Sequence, residues 1–119
     1  MNQMSAVAPA RQRVVEQAEA FLDSHLAEAV TLKDLCRVTG VSERTLRKSF
    51  SEVRGMSPKR FMLRARLDLV HEALSGHPQA SVTSVATDYG FYELGRFAGR
   101  YKKLYGEYPS QTLRATMAC

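Results

Sequence analysis

The chain has 119 residues and a net charge of +5, and hydrophobic residues make up 45% of it. This composition fits one small globular domain, or two very small units that share a core, and it argues against disorder. No apolar run approaches the roughly 18 residues that a membrane-spanning helix needs, and the start carries no charged leader, so we expect a cytoplasmic protein with no membrane partner. The cysteines, Cys36 and Cys119, are isolated from each other, which excludes a disulfide scaffold and a four-cysteine zinc site; we expect no metal and no cofactor.

Positive charge is concentrated in the later part of the chain. Residues 1–36 hold three basic and five acidic side chains, whereas residues 37–119 hold fourteen basic and seven acidic ones. Such a concentration in a small chain favours a polyanionic partner. The alternative is a basic surface that faces solvent and binds no ligand.

Apolar residues recur at helical spacing from Val14 onward, after a polar start at residues 1–10 that is typical of a tail or the end of a linker. Thr31, Ser42 and Ser57 mark helix starts, and glycines mark helix ends. The predicted helices run over about Val14–Ala27, Thr31–Val38, Ser42–Val53, Pro58–Leu74, Val82–Tyr89, Glu93–Tyr105 and onward from Pro109. No stretch alternates as strands do, so the prediction is an all-α fold of about seven helices, with two tandem helix-turn-helix units joined by a long central helix.

The chain contains an internal repeat of nine positions, offset by fifty residues and then, after one insertion, by fifty-one. The first copy comprises Leu32, Leu35, Cys36, Gly40, Val41, Leu46, Phe50, Gly55 and Pro58. The second copy comprises Val82, Val85, Ala86, Gly90, Phe91, Phe97, Tyr101, Gly106 and Pro109. Each copy predicts a short helix, a glycine turn and a second helix, which is the helix-turn-helix pattern whose second helix can lie in the DNA major groove. We place a tandem DNA-binding domain at residues 11–115, with units at 11–56 and 81–114 and a linker helix at 57–75.

The second helix of the first unit predicts a basic reading face. Its apolar stripe comprises Leu46, Phe50 and Val53. Arg44 and Lys48 lie opposite that stripe and four positions apart, so both side chains can enter one groove. Because arginine and lysine bond guanine O6 and N7, we predict base contacts from Arg44, Lys48 and the neighbouring Arg47, with the flanking phosphate as the alternative partner of Arg47. Phosphate contacts are predicted for Lys33 and Ser51.

In the second unit, the sequence of the second helix predicts an outer face with glycines at its centre. Its inward residues are Phe97, Tyr101 and Leu104. Gly95 and Gly99 lie opposite them, although each glycine costs a helix about 1 kcal/mol relative to alanine. We therefore predict that this helix backbone approaches DNA closely and recognises mainly phosphates and shape. At the borders of the face, we predict a base contact from Arg96 and phosphate contacts from Lys102 and Lys103.

Each face has an alternative interpretation. The first could be a solvated charged surface whose basic residues pair with Glu43 and Glu52. On the second, Gly95 and Gly99 could fit a tight packing contact inside the protein.

The predicted helix from Pro58 to Leu74 spans about 17 residues, or about 25 Å at 1.5 Å per residue. It can hold two reading helices near one DNA turn apart, about 34 Å from centre to centre. One chain would then read two successive major grooves, and its site should not be a palindrome because the two faces differ.

At these residues the chain resembles the C-terminal DNA-binding domain of the AraC/XylS family of bacterial transcription regulators, from about Val14 to Arg114. The matching positions of the second unit are Gly90, Phe91, Phe97, Tyr101, Lys102, Tyr105, Gly106, Pro109, Leu113 and Arg114. Those of the first unit are Gly40, Val41, Ser42, Leu46, Phe50, Gly55, Met56, Ser57 and Pro58.

The resemblance implies double-stranded DNA as the partner and contact with RNA polymerase. The base-reading positions that it implies are Arg44, Arg47, Lys48, Leu94, Gly95, Arg96 and Gly99. Most members also carry an N-terminal effector-binding domain, so a small-molecule effector would act only through a domain outside this chain. We expect a C-terminal piece of a longer regulator rather than a stand-alone member.

Five positions depart from the family pattern. Tyr101 and Tyr105 stand where phenylalanine is usual, and Tyr108 stands where a small or polar residue caps the last helix. Gly95 and Gly99 replace a common serine and a common arginine.

Two other classes of function are weaker. His25, His71 and His77 do not cluster with a nucleophile or with carboxylates at any ligand spacing, so we expect no enzyme. Cys36 aligns with Ala86 in the repeat, which predicts a small core residue rather than a reactive thiol. The alternative to DNA binding is a helical protein-interaction module that uses the same fold, and it predicts an acidic or apolar outer face on the second helices.

Overall fold

The structure, a computed structural model, describes residues 8–25, 28, 30–77 and 79–118, with side chains up to residue 115. Within these residues the helices are α1 Pro9–His25, α2 Leu32–Thr39, α3 Glu43–Arg54, α4 Pro58–Gly76, α5 Val82–Asp88, α6 Leu94–Tyr105 and α7 Pro109–Ala118. The predicted all-α fold of about seven helices is confirmed. The chain divides into two compact units, Met1–Leu63 and Arg64–Cys119, and the division falls inside α4. Among the described helices, none combines the length and the apolar character of a membrane span.

The first helix begins earlier than the sequence predicts. α1 starts at Pro9 rather than Val14, and two backbone amides of its first turn donate to the carbonyl of Ala8 at 3.0 and 3.2 Å. A proline fits the first helical position because the N–H that it lacks has no helical partner there. The residues between Pro9 and Val14 are mostly polar, so hydrophobic spacing does not reveal them as helix. Residues 1–7 of the predicted tail and the predicted helix end at Ala27 lie outside the described residues.

The two helix-turn-helix units share local structure at their matched positions. Thr31 and Asp34 form a reciprocal capping box at the start of α2, in which each side chain accepts the backbone N–H of the other residue. The side chain of Ser81 caps α5. At the turns, Gly40 and Gly90 have φ angles of 74° and 89°, a region that other residues rarely adopt. The repeat in the sequence is therefore also a repeat in backbone geometry.

The first unit packs α1 against α2 and α3 around an apolar core. Its fully buried side chains include Val15, Ala18, Leu35, Leu46 and Phe50. The rings of Phe50 and Phe61 lie 5.4 Å apart between centroids, and Cys36 is half-buried against the same core, as predicted. On the surface, Arg54 of α3 donates two hydrogen bonds to the Glu19 carboxylate of α1, of which the Nη2–Oε1 bond is 2.8 Å. These contacts fix which face of α3 turns outward.

The core of the second unit is largely aromatic. Phe91, Phe97, Tyr101 and Tyr105 form a run of ring contacts, with centroids 4.9, 5.8 and 4.6 Å apart between successive pairs. His71 of α4 stacks on Tyr105 at 4.2 Å. The aliphatic remainder of this core includes Leu67, Val70, Leu74 and Ala86. Because aromatic pairs stabilise by about 0.5–1.5 kcal/mol beyond the area they bury, these rings hold α6 with its opposite face outward.

The last helix begins at Pro109, as predicted, without a side-chain cap from Tyr108. Instead, the backbone N–H of Tyr108 donates to Oε1 of Gln111 at 2.7 Å. This bond is the second half of a capping box, so the glutamine three residues on takes over part of the capping that the tyrosine cannot supply. By contrast, Glu93 at the start of α6 makes no side-chain cap bond.

Candidate nucleic-acid interface

The outer face of α3 is set by the burial of its inner face. Leu46 and Phe50 are fully buried and Val53 is half-buried, as the sequence predicts. Arg44 and Lys48 lie on the opposite face, and both are exposed. Their spacing of four residues places the two cations next to each other on the helix surface.

The two glutamates of α3 that could pair with Arg44 and Lys48 bind other arginines instead. Glu43 binds Arg47, with Oε1 2.6 Å from Nη2, and Glu52 binds Arg11 of α1. In the described part of the chain, the two cations opposite the buried stripe therefore have neither an ion pair nor a hydrogen bond. The alternative of a self-paired charged surface thus applies to Arg47 alone among the three predicted base-reading residues of α3.

The outer face of α6, opposite its buried residues, is open to solvent. Phe97 and Tyr101 are buried, Leu104 is half-buried, and the two glycines on the opposite side are exposed. A Cβ atom added to Gly95 or Gly99 would meet no heavy atom within 4 Å. No packing contact within the described structure therefore accounts for either glycine.

Basic side chains border this glycine face. Nε of Arg96 lies 3.3 Å from Oε1 of Glu93, and Nζ of Lys102 lies 4.7 Å from the centroid of the Tyr108 ring. Lys103 is exposed and makes no ion pair within the described residues. Exposed ion pairs contribute about 0–1 kcal/mol, and exposed cation–π contacts about 0.5–1 kcal/mol. An incoming phosphate can therefore displace both contacts at low cost.

The predicted contact residues divide into two sets, one in each unit. The set in the first unit comprises Arg44, Arg47, Lys48, Lys33 and Ser51, with Lys33 exposed on α2 and the others exposed on α3. The set in the second unit comprises Gly95, Arg96, Gly99, Lys102 and Lys103, all exposed on α6. Each set is thus available to an external ligand.

The sequence prediction did not include Arg100. This residue is exposed on α6 one turn after Arg96, and both line the same surface depression. The signal was present, because the spacing of four residues that identifies Arg44 and Lys48 also relates these two arginines.

The sequence analysis also did not predict a network of hydrogen-bonded polar side chains inside the second unit. The Tyr101 hydroxyl donates to Oγ1 of Thr112 at 2.8 Å, and Thr112 donates to the Glu107 carboxylate. Since the only proton of the tyrosine is used, Nδ1 of His71, 2.8 Å away, carries a proton and donates to the Tyr101 oxygen. Burial raises the pKa of Tyr101, so the phenol stays neutral. The tyrosine that replaces the usual phenylalanine therefore links α6 to α4 and to α7.

The histidines show no arrangement typical of catalysis or metal binding. Nδ1 of His25 lies 2.8 Å from the Phe21 carbonyl oxygen, and Nδ1 of His77 lies 2.9 Å from the Ala73 carbonyl oxygen. Across the described ranges, no three side chains of the metal-ligating kinds come together.

Several known proteins with similar sequences are named as regulators or activators of operons. A family model described as a helix-turn-helix domain matches residues 35–115. The XylDLEGF operon transcriptional activator 3 of Pseudomonas putida is 37% identical over 109 residues, which cover 89% of this chain and 31% of that protein. The probable thc operon regulatory protein of Rhodococcus erythropolis is 35% identical over 108 residues, which cover 89% of this chain and 32% of that protein. The chain thus spans about a third of the length of these curated relatives.

Solved structures agree with this relationship. A probable AraC family transcriptional regulator from Rhodopseudomonas palustris is 37% identical, with a TM-score of 0.82 over 87% of this chain and 97% of that chain. A regulator with an AraC-type DNA-binding domain from Chromobacterium violaceum shares the fold at 20% identity, with a TM-score of 0.83 over 92% of this chain and 96% of that chain. The proteins with these similarities are transcription regulators rather than enzymes. With its duplicated helix-turn-helix unit and its two exposed basic faces, the chain belongs to the AraC family of transcription regulators and constitutes the family's helix-turn-helix DNA-binding domain.

Proposed function

We propose that this chain binds double-stranded DNA in a sequence-specific manner as part of a bacterial transcription regulator, with α3 and α6 entering successive major grooves. The observation that carries the proposal is the exposure of Arg44 and Lys48 without an acidic partner in the described structure. Both are exposed side by side on α3, and both lack a counter-charge in the described structure although Glu43 and Glu52 lie on the same helix.

The chemistry of the α3 face suits base reading. A guanidinium presents donors in a planar fork that matches O6 and N7 of guanine, and an ammonium reaches the same atoms as a single charge. Arg44 and Lys48 take these roles, and Arg47 joins them when it leaves Glu43. Lys33 and Ser51, from the same unit, bind the flanking phosphates and fix the register of the helix.

The chemistry of the α6 face suits a closer and less base-specific contact. The open surface over Gly95 and Gly99 lets the helix backbone approach the DNA, while Lys102 and Lys103 bind phosphates on its borders. Arg96 is the one residue of this set that we assign to a base. The second unit thereby contributes mainly affinity and shape recognition, and the first contributes mainly sequence recognition.

The names of the relatives support a proposal for the role of a whole regulator built on this domain. The Pseudomonas putida relatives are named as operon transcriptional activators, so activation is the proposed outcome of binding. Contact with RNA polymerase is part of that proposal, as is a small-molecule effector that acts through a domain outside this chain. The proposed compartment is the bacterial cytoplasm, where the chromosome lies.

A titration of duplex DNA at several salt concentrations tests the proposal. The duplex is selected by the chain from a random library, and an unrelated duplex of the same length serves as the reference. Binding through several phosphates gives a steep fall of affinity with salt, with a log–log slope of about −0.9 for each phosphate contact.

Variants separate DNA binding from the protein-interaction alternative. The double variant Arg44→Ala/Lys48→Ala should lose the preference for the selected duplex, whereas Arg13→Ala, which removes an exposed arginine of α1, should keep it. Absence of duplex binding, or an affinity that does not respond to salt, would contradict DNA binding and favour the protein-interaction module.

A further inference from the structure

An open depression of about 420 Å³ lies at the start of α6, and its lining includes Tyr92, Arg96 and Arg100. Tyr92 is 77% exposed, the largest exposure among the large hydrophobic side chains that the structure describes. Its ring makes no aromatic contact within the described residues. The depression thus presents one exposed aromatic ring beside two exposed guanidinium groups, a combination that can contact an anionic ligand through both charge and apolar area.

The two arginines of the depression differ in their partners. Nε of Arg96 is 3.3 Å from Oε1 of Glu93, so the one carboxylate among the described residues that line the depression already has a cationic partner. Arg100, one turn further along, has neither an ion pair nor a hydrogen bond in the described part of the chain. Its guanidinium therefore offers all five of its N–H donors to an anion.

We infer that this depression is a phosphodiester clamp in which Arg100 binds a DNA phosphate and the ring of Tyr92 covers the adjacent deoxyribose. The inference rests on the proposed binding of DNA and identifies the part of the ligand that this surface takes. A guanidinium and a phosphate form two parallel hydrogen bonds that are charge-assisted. A tyrosine can place its apolar ring against a sugar while its hydroxyl stays in contact with water.

The position of Arg100 on the helix favours a phosphate over a base. Successive residues of a helix are about 100° apart, so Arg100 points well to one side of the open face that contains Gly99. When a helix lies in the major groove, its central face meets base edges and its flanks meet the sugar–phosphate strands. Arg100 is on such a flank, on the same side as Arg96.

The test uses the full chain and a set of duplexes in which one phosphate at a time is replaced by an uncharged methylphosphonate. The variant is Arg100→Gln, and the matched control is Arg13→Gln, which removes the same charge from an exposed position of α1. Glutamine is a good helix former, so neither change should disturb the fold.

The clamp predicts a specific loss of sensitivity. The wild-type chain should lose about tenfold in affinity when one particular phosphate is neutralised, and Arg100→Gln should be insensitive to that same replacement. The salt slope of Arg100→Gln should also be smaller by about 0.9 than that of Arg13→Gln. Arg100→Lys should restore most of the slope because it keeps the charge.

The role of Tyr92 has a separate readout. Tyr92→Ala should weaken duplex binding without a change in the salt slope, since it removes an uncharged contact, and Tyr92→Phe should bind nearly as the wild type does. If the wild type binds DNA but Arg100→Gln and Arg13→Gln share one methylphosphonate profile and one salt slope, the clamp is wrong and the proposed function stands. If the wild type does not bind the duplex at all, both are wrong.

Discussion

Nη2 of Arg47 lies 2.6 Å from Oε1 of Glu43, one turn earlier on α3. Arg44 and Lys48, on the same helix, have no acidic partner in the described structure. In the proposed complex with DNA, Arg47 therefore exchanges a carboxylate partner for the nucleic acid, whereas the other two cations have no such partner to leave. An exposed pair of this kind contributes only about 0–1 kcal/mol, so it modulates binding rather than preventing it.

Glu43→Gln should strengthen DNA binding by about two- to fivefold, because it releases Arg47 and removes a negative charge from the reading face. The measurement is a titration of the selected duplex at fixed salt. Glu72→Gln, which removes an exposed carboxylate of α4, is the control and should change affinity less. An unchanged or weaker affinity for Glu43→Gln would contradict the claim that the pair of Glu43 and Arg47 opposes DNA binding.

Arg44→Ala should cost about 1–3 kcal/mol of binding free energy on the selected duplex and relax the preference at one or two base pairs. The reason is the loss of a bidentate contact to a base edge. Affinities for a set of duplexes with single base changes measure the effect, with Arg13→Ala as the control. If Arg44→Ala weakened binding to every duplex by the same factor, Arg44 would contact a phosphate instead.

Gly99→Leu should move stability and DNA affinity in opposite directions. The site is open, since an added Cβ would meet no heavy atom within 4 Å, and leucine favours a helix over glycine by about 1 kcal/mol. Thermal or urea unfolding should therefore show equal or greater stability. The affinity for duplex DNA should fall because the side chain keeps the helix backbone away from the DNA, and Gly99→Ala should show a smaller loss. Wild-type affinity in a stable Gly99→Leu protein would refute the close approach.

Tyr101→Phe should lower the free energy of unfolding by about 0.5–1.5 kcal/mol, because Nδ1 of His71 loses its acceptor and the link to Thr112 is broken. Urea unfolding measures this change. Tyr92→Phe removes a hydroxyl from an exposed ring and should leave stability unchanged. Equal stability of the two variants would mean that the network of polar side chains makes no net contribution to the fold.

The parts of the fold that could be predicted from the sequence depend on local chemistry. The start of α2 at Thr31 and its end at Gly40 depend on residues that are close together in the chain, and the structure has both as expected. The start of α1 was predicted too late because Pro9 begins a polar turn without the apolar spacing that identifies helices.

The interface was predictable where it follows from one helix and unpredictable where it depends on contacts between helices. The exposure of Arg44 follows from the buried stripe on its own helix. The pairing of Glu52 with Arg11, which leaves the cations of α3 without that carboxylate, depends on how α1 packs. The link from Tyr101 to His71 likewise joins residues far apart in the chain.

Selection of bound sequences from a random duplex library, repeated with two variants, tests most directly whether one chain reads two grooves. The wild type should select two blocks of preferred bases whose centres are about 10–10.5 base pairs apart. Arg44→Ala should relax one block and Arg96→Ala the other, with the strength of preference greater in the block that depends on Arg44. A single block, or two variants that relax the same block, would contradict the account.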